Sequence, residues 1–194
     1  MIAKAEFDKT EQGLKQRVRT LEAFLADVYG TGQLFNDRIM PRSVVTTSSN
    51  FVRAVAGYKP HNGVRIHVAG IDLIRDGDGQ LRVLEDNARI PSGVSYVLTN
   101  RQATVAALPE AVSRHNIARV DDYPARLRSA LAKAAPPGVA DPNIVVLTPG
   151  VYNSAYFEHA MLASTMGVSL VEGRSWCVRA WRTCAPPTVS SRCA

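Results

Sequence analysis

Asp72, Glu85 and Asn87 are the side chains in this 194-residue sequence whose types and spacing suit a hard cation. They lie in VAGIDLIRDGDGQLRVLEDNARIPSGVSY (residues 68–96). An alternating apolar run there reaches Asp-Gly, and a second run ends in the polar cluster Glu85, Asp86, Asn87, Arg89 and Ser92. Asp-Gly between alternating runs signals a β-hairpin. With Asp78-Gly79 as a type I′ turn, Gly77 pairs with Gln80 and Asp72 lies opposite Glu85. Strand alternation then puts Gly70, Asp72, Ile74, Leu81, Val83, Glu85 and Asn87 on one face. Ile71, Leu73, Arg75, Arg82, Leu84 and Asp86 take the other.

Directly opposed residues have Cβ atoms about 4.5–5.5 Å apart, and like charges so placed repel. Asp72 and Glu85 need a proton on one of them or a cation between them. Asn87 adds a neutral oxygen on the same face. Mg²⁺ takes one or two protein carboxylates and completes its octahedron with water and phosphate, so this set fits a Mg²⁺–nucleotide site. The alternative from spacing alone is a surface hairpin with scattered acids. An EF-hand is excluded, because its Asp/Asn-Gly-Glu spacing is absent.

The residues are similar to those of the ATP-grasp superfamily, whose members carry an acid on one strand and E-x-N, often followed by x-R, on the next. Asp72 matches the first acid, and Glu85-Asp86-Asn87-Ala88-Arg89 matches E-x-N-x-R. LEDNARIPSGVSYVLTNR more specifically resembles the circularly permuted ATP-grasp proteins of bacteria, type 2. Further similarity runs through LKQRVRTLEAFLADVYG, HVAGIDLI and VVLTPGVYNSAYFEHAMLASTMGVSLVEG, so the resemblance covers residues 12–173.

That resemblance implies an α/β chain: an ATP-grasp-like α+β half with a metal-binding hairpin (residues 1–135), a linker (136–142), and a βαβ, pre-ATP-grasp or Rossmann-like, unit (143–173). It implies ATP and Mg²⁺ as cofactors and a carboxylate–amine ligation through an acyl phosphate, on small-molecule or peptide substrates. Asp72, Glu85 and Asn87 would be metal ligands, Arg89 the catalytic anion clamp, and Ser92 and Gly93 further nucleotide contacts. Two departures stand out. Many relatives have arginine where this sequence has Gly70, and the lysine-bearing subdomain that covers the nucleotide would follow Gly173. The expectation is therefore an incomplete family member, inactive alone. The alternative is a non-catalytic binding or regulatory module that pairs with a complementary protein chain.

Composition supports a globular protein: 46% of residues are apolar and 21% charged. No apolar run is long enough for a membrane helix, and MIAKAEFDKTEQGLKQR has no signal-peptide h-region, so a cytoplasmic location is the default expectation. The net charge of +6 owes four arginines to the segment after Gly173, which has no acid, and residues 1–173 carry only +2. With no recognisable nucleic-acid motif, nucleic acid is not an expected partner. Cys177, Cys184 and Cys193 also fall in residues 174–194, with no zinc spacing. That segment reads as a basic interaction tail, a disulfide-bearing segment, or divergent sequence foreign to the fold and disordered.

The positioning elements follow in order. Leu14, Val18, Leu21, Leu25 and Val28 predict an amphipathic helix over 10–29, ended by Gly30. Its Arg17 and Arg19 read as a solvated face. The polar run 46–50 suits a loop or cap, and His61 lies in a turn. His67 reads as a structural residue of the strand entering the hairpin. Pro91-Ser92-Gly93 opens toward a helix from Val94, whose first N–H groups favour an anion. Residues 94–135 read as helix interrupted at Pro109 and Pro124. Residues 144–147, a helix capped by Asn153 or Ser154 and ended by Gly167, and residues 168–171 read as βαβ, with Asn153, Tyr156, Glu158 and His159 near its ligand end. No G-x-G-x-x-G is present, so a dinucleotide is not indicated.

Overall fold

The computed structural model describes residues 2–173. Expectations about the Cys- and Trp-bearing segment 174–194 lie outside the described residues. The chain divides into two compact units, residues 1–91 and from 92 onward. The division falls at Pro91/Ser92, not across the proline-rich stretch 136–142, and the reason is helix packing. The helices between residues 94 and 133 pack on the helix of the βαβ unit, which moves them from the hairpin half to the second unit.

In the first unit, α1 (Lys4–Val28) is followed by the short helices α2 (Gln33–Asn36) and α3 (Arg42–Thr46), then the hairpin of β1 (Gly70–Arg75) and β2 (Leu81–Asn87). The helix starts earlier than its apolar stripe predicts, and the stripe residues are half-buried with none of α1 fully buried. Beyond α1, the chain turns on Asp27. Its carboxylate accepts the N–H groups of Gln33 (2.7 Å) and Leu34 (2.9 Å) and the hydroxyl of Thr31 (2.9 Å), which caps α2 and holds the Asp27 carboxyl below its usual range. At Gly30 a Cβ would meet the Ala26 carbonyl oxygen at 2.5 Å, so no side chain fits.

Glu22 fixes the entry to the hairpin. One oxygen of its carboxylate accepts the N–H groups of Arg65 (2.7 Å) and Ile66. Ile66 is the buried hydrophobic residue of this unit among those described. His67, expected in a strand, precedes β1 and is exposed. The hairpin is tied back to α1 by two ion pairs, Arg17 to Asp86 (2.6 Å) and Arg75 to Glu6 (2.7 Å). Arg17 thus joins two elements and is not merely a solvated face. Between α1 and the hairpin face of Leu73, Leu81 and Val83 lies a cleft of about 610 Å³.

In the second unit, α4 (Val94–Ala107), α5 (Pro109–Arg114) and α6 (Tyr123–Lys133) precede β3 (Val145–Thr148), α7 (Tyr156–Met166) and β4 (Ser169–Glu172). Pro109 and Pro124 sit in the first turns of α5 and α6, where a missing N–H costs nothing, so they open helices and do not interrupt them. β3 and β4 pair in parallel, joined by α7, and α4 and α6 pack on α7 around Leu98, Ala163 and Met166. Gly167, at φ 66°, ends α7 as expected.

Two outcomes follow. Gly30→Ala will lower stability by about 1–3 kcal/mol through the clash with the Ala26 carbonyl, whereas Gly13→Ala, in open space within α1, will raise it by up to about 1 kcal/mol; urea unfolding of both variants checks this. Arg17 holds the Asp86 carboxyl below its usual range. The linkage is therefore complete above the ordinary aspartate range and lost as pH falls through the depressed value. Asp86→Asn will remove that part of the acid dependence of stability, read from unfolding midpoints between pH 2 and 7.

Candidate metal and anion site

The hairpin places Asp72 opposite Glu85 and Gly70 opposite Asn87, as the alternation predicts, but by a different route. The turn is not the two-residue type I′. Asp76 and Gln80 close a three-residue loop, with the Asp76 N–H donating to the Gln80 carbonyl (2.9 Å) and the Gly79 N–H to the Asp76 carbonyl (2.9 Å). Only Gly79 among the loop residues has positive φ, at 76°, whereas type I′ needs it at both central positions. The Asp76 carboxylate organises the loop by accepting the N–H groups of Asp78 (3.1 Å) and Gln80 (2.8 Å).

The extra loop residue shifts the register, so Arg75 faces Leu81, Ile74 faces Arg82 and Leu73 faces Val83. A bulge at Leu84 then shifts it back, restoring Asp72 to Glu85. Two insertions of one residue cancel at the acids. The predicted faces are corrected accordingly. Leu81 and Val83 join Ile71, Leu73, Arg75 and Asp86 on the half-buried face above the cleft, while Arg82 moves to the exposed face with Asp72. The cleft is therefore on the opposite side of the hairpin from the acids.

On the acid face, the Asn87 amide N–H donates to Glu85 Oε1 at 2.9 Å, which leaves Oδ1 as a further oxygen donor. No ion pair reaches Asp72 or Glu85 among the described residues. Arg82, the nearest cation in register, is drawn off to Asp76 (2.7 Å). Arg17 and Arg75 are paired with Asp86 and Glu6. Two uncompensated carboxylates and an amide oxygen are a donor set that fits Mg²⁺, which needs few protein ligands. Among the described residues no group of three or more His, Cys, Asp or Glu side chains is placed to hold a metal ion.

Arg89 donates from Nη1 to Asn50 Oδ1 at 3.2 Å. Gly70 has its own reason to lack a side chain: a Cβ there would meet Pro91 Cβ at 2.8 Å. A side chain at this position is incompatible with that approach.

Ser92 and Gly93 open the second unit. Gly93, at φ 108°, precedes α4. The helix N-terminus does hold an anion, and it is supplied by the protein. Glu158 Oε2 accepts the N–H groups of Gly93 (2.6 Å) and Ser95 (3.3 Å) and the Ser95 hydroxyl (2.9 Å). Glu158 is 6% exposed and Ser95 fully buried, so α7 is pinned to α4 by a carboxylate at a helix dipole. Burial and the Glu158 charge together raise the Tyr123 phenol above its usual value. At the carboxyl end of β3, buried Thr148 meets His159 Nδ1 (3.0 Å) and accepts the Gly150 N–H (3.2 Å). Asn153 accepts the N–H of Ala155 (2.9 Å), just ahead of α7. His61 is an exposed turn residue.

Sequence reasoning missed Glu158 as a cap, Asn50 as a partner of Arg89, and the bulge. Glu158 and Asn50 are long-range partners with no local signal. The three-residue loop had one, because Asp76-Gly77 and Asp78-Gly79 offer two alternative turns, whereas the bulge at Leu84 had none.

The model of circularly permuted ATP-grasp type 2 matches residues 1–188. The chain belongs to that family. The match extends past Gly173, where the sequence resemblance was expected to end. An uncharacterised protein of Mycobacterium tuberculosis is 53% identical over 174 residues, covering 90% of this chain and 32% of its own length. One from Synechocystis is 49% identical over 174 residues, covering 90% of this chain and 36% of its own length. A Frankia casuarinae protein whose name reads "Putative glutamate--cysteine ligase" is 44% identical over 173 residues, covering 89% of this chain and 20% of its own. The chain spans about a third of the length of the first relatives it matches. Among the described residues no helix is long and apolar enough to cross a membrane.

Glu158→Ala will leave the Gly93 and Ser95 donors unpaired and cost about 2–3 kcal/mol of stability; chemical denaturation checks this, with Glu158→Gln losing less.

Proposed function

We propose that this chain carries the metal-binding part of an ATP-dependent carboxylate–amine ligase. The observation that carries the reading is the pair Asp72 and Glu85, held opposite one another on the exposed face of a bulged hairpin while the surrounding arginines are paired elsewhere. Asp72, Glu85 and the Asn87 oxygen would hold Mg²⁺, which supplies charge neutralisation to the phosphates of ATP. The family's name and the ligase name borne by the Frankia relative support the reaction class.

Each residue's part follows from its chemistry. Asp72 and Glu85 supply the anionic ligands, and the Asn87 N–H fixes the Glu85 carboxylate in the orientation that ligation needs. Arg89 supplies positive charge to a phosphoryl oxygen or to the carboxylate undergoing phosphorylation. In this reading a substrate carboxylate would attack the γ-phosphorus with ADP as the leaving group, and the amine would then displace inorganic phosphate from the acyl carbon, giving up one proton to solvent. Ser92 belongs to the same reading as a nucleotide contact. Gly93 contributes its conformation and not its N–H, which Glu158 already holds.

The chain spans about a third of the length of the Mycobacterium tuberculosis and Synechocystis relatives, and the proposal covers the metal-binding part alone. On its own, the chain will bind Mg²⁺-ATP weakly and will not turn over. The module that pairs with a complementary chain remains the second reading, favoured by the open acid face. Calorimetry with Mg²⁺-ATP tests the proposal. Weak binding that Asp72→Ala/Glu85→Ala abolishes supports a working hairpin site, and binding unchanged in the double variant contradicts it.

A further inference from the structure

The arginines that touch the hairpin fall into two classes. Arg17, Arg75 and Arg82 are each paired with a carboxylate, respectively of Asp86, Glu6 and Asp76, which cancels their charge locally. Arg89 is held instead by a neutral acceptor, Asn50 Oδ1, at 3.2 Å. An amide oxygen can fix a guanidinium through one N–H and leave its full charge and its remaining donors for an anion. A carboxylate in the same place would take two donors and the charge.

Asn50 is itself anchored. It lies in a turn closed by the Phe51 N–H to the Ser48 carbonyl (3.0 Å), and its own N–H donates to Ser48 Oγ (3.3 Å). Phe51 stacks on Tyr29 at 5.2 Å between ring centroids, with the planes 9° apart. The Val52 N–H donates to Tyr29 Oη (3.2 Å), and the Gly57 N–H to the Tyr29 carbonyl (2.6 Å). The end of α1 thus fixes the turn that fixes Arg89. This is a rigid support of the kind an anion-binding guanidinium requires, because a freely rotating arginine loses side-chain entropy on engaging its ligand.

We propose that Asn50 is a positioning residue for Arg89, a charge-sparing holder that presents the guanidinium to a phosphate oxygen. The inference rests on the reading of Arg89 as the anion clamp of the hairpin site. A substitution distinguishes it from a structural link. If the Asn50–Arg89 contact only braces a loop, Asn50→Leu leaves anion binding by Arg89 unchanged. If Asn50 spares charge, Asn50→Asp quenches Arg89.

The test is calorimetric binding of inorganic triphosphate, free of metal, to the full chain, to Arg89→Ala, and to Asn50 variants. Expected are a loss of about tenfold for Arg89→Ala, about threefold for Asn50→Ala and Asn50→Leu, and at least tenfold for Asn50→Asp. Asn50→Asp binding as tightly as the unaltered chain, while Arg89→Ala is weakened, overturns the proposal. So does triphosphate binding that ignores Arg89→Ala, or no triphosphate binding by the unaltered chain. Both side chains are exposed, so unfolding midpoints will stay close to that of the unaltered chain. Should Asn50→Asp not fold, Asn50→Leu decides: affinity equal to the unaltered chain overturns the proposal, and a loss supports it. A parallel Mn²⁺ titration followed by water proton relaxation reads Asp72 and Glu85 without the anion. Mn²⁺ bound with triphosphate silent defeats this inference alone; triphosphate bound with Mn²⁺ silent defeats the metal reading alone.

Discussion

Asp72 and Glu85 face one another across an antiparallel pair with no ion pair to either among the described residues, and most of what surrounds the hairpin holds that arrangement together. Opposed carboxylates destabilise the sheet that carries them. The strand pair must therefore be held by other means, and it is. Asp76 ties the loop and takes Arg82, Arg17 and Arg75 tie the opposite face to α1, and Glu22 holds the chain that enters β1. Every one of these contacts is a carboxylate meeting a cation or a backbone donor. Among the hairpin's acids, Asp72, Glu85 and the loop residue Asp78 have no such partner, and the first two are the opposed pair.

The second unit uses the same chemistry for a different end. A helix N-terminus with a glycine and a serine ahead of it is a ready anion site, and here Glu158 fills it from within. The α4 terminus is thereby part of the architecture, its Gly93 N–H already taken, whereas Arg89 is held by a neutral amide.

The hairpin was legible because alternation and Asp-Gly are local signals, and the opposition of Asp72 to Glu85 followed from counting. Its turn and faces were not, since a three-residue loop and a bulge at Leu84 change parity twice and leave the same residues opposed at the acids. The helix from residue 10 onward and the β3–α7–β4 unit were legible from periodicity, though not the helix's first turns at 4–9, and Gly167 marked the end of α7 correctly. The division at Pro91/Ser92 had no signal in composition, and the proline-rich stretch 136–142 lies within the second unit. Which helices pack together is decided by side chains such as Leu98 and Met166, which lie far apart in sequence. Contacts such as Asn50 to Arg89 and Glu158 to Ser95 join residues with no shared local pattern.

The most direct test of the account is thermal unfolding of the unaltered chain and of Asp72→Asn, each with a chelator and with Mg²⁺. If the opposed acids are a cation site, the neutral substitution removes repulsion. Asp72→Asn will then melt higher than the unaltered chain in chelator, and only the unaltered chain will gain stability with Mg²⁺. An Asp72→Asn protein that melts lower in chelator, together with an unaltered chain indifferent to Mg²⁺, would contradict it.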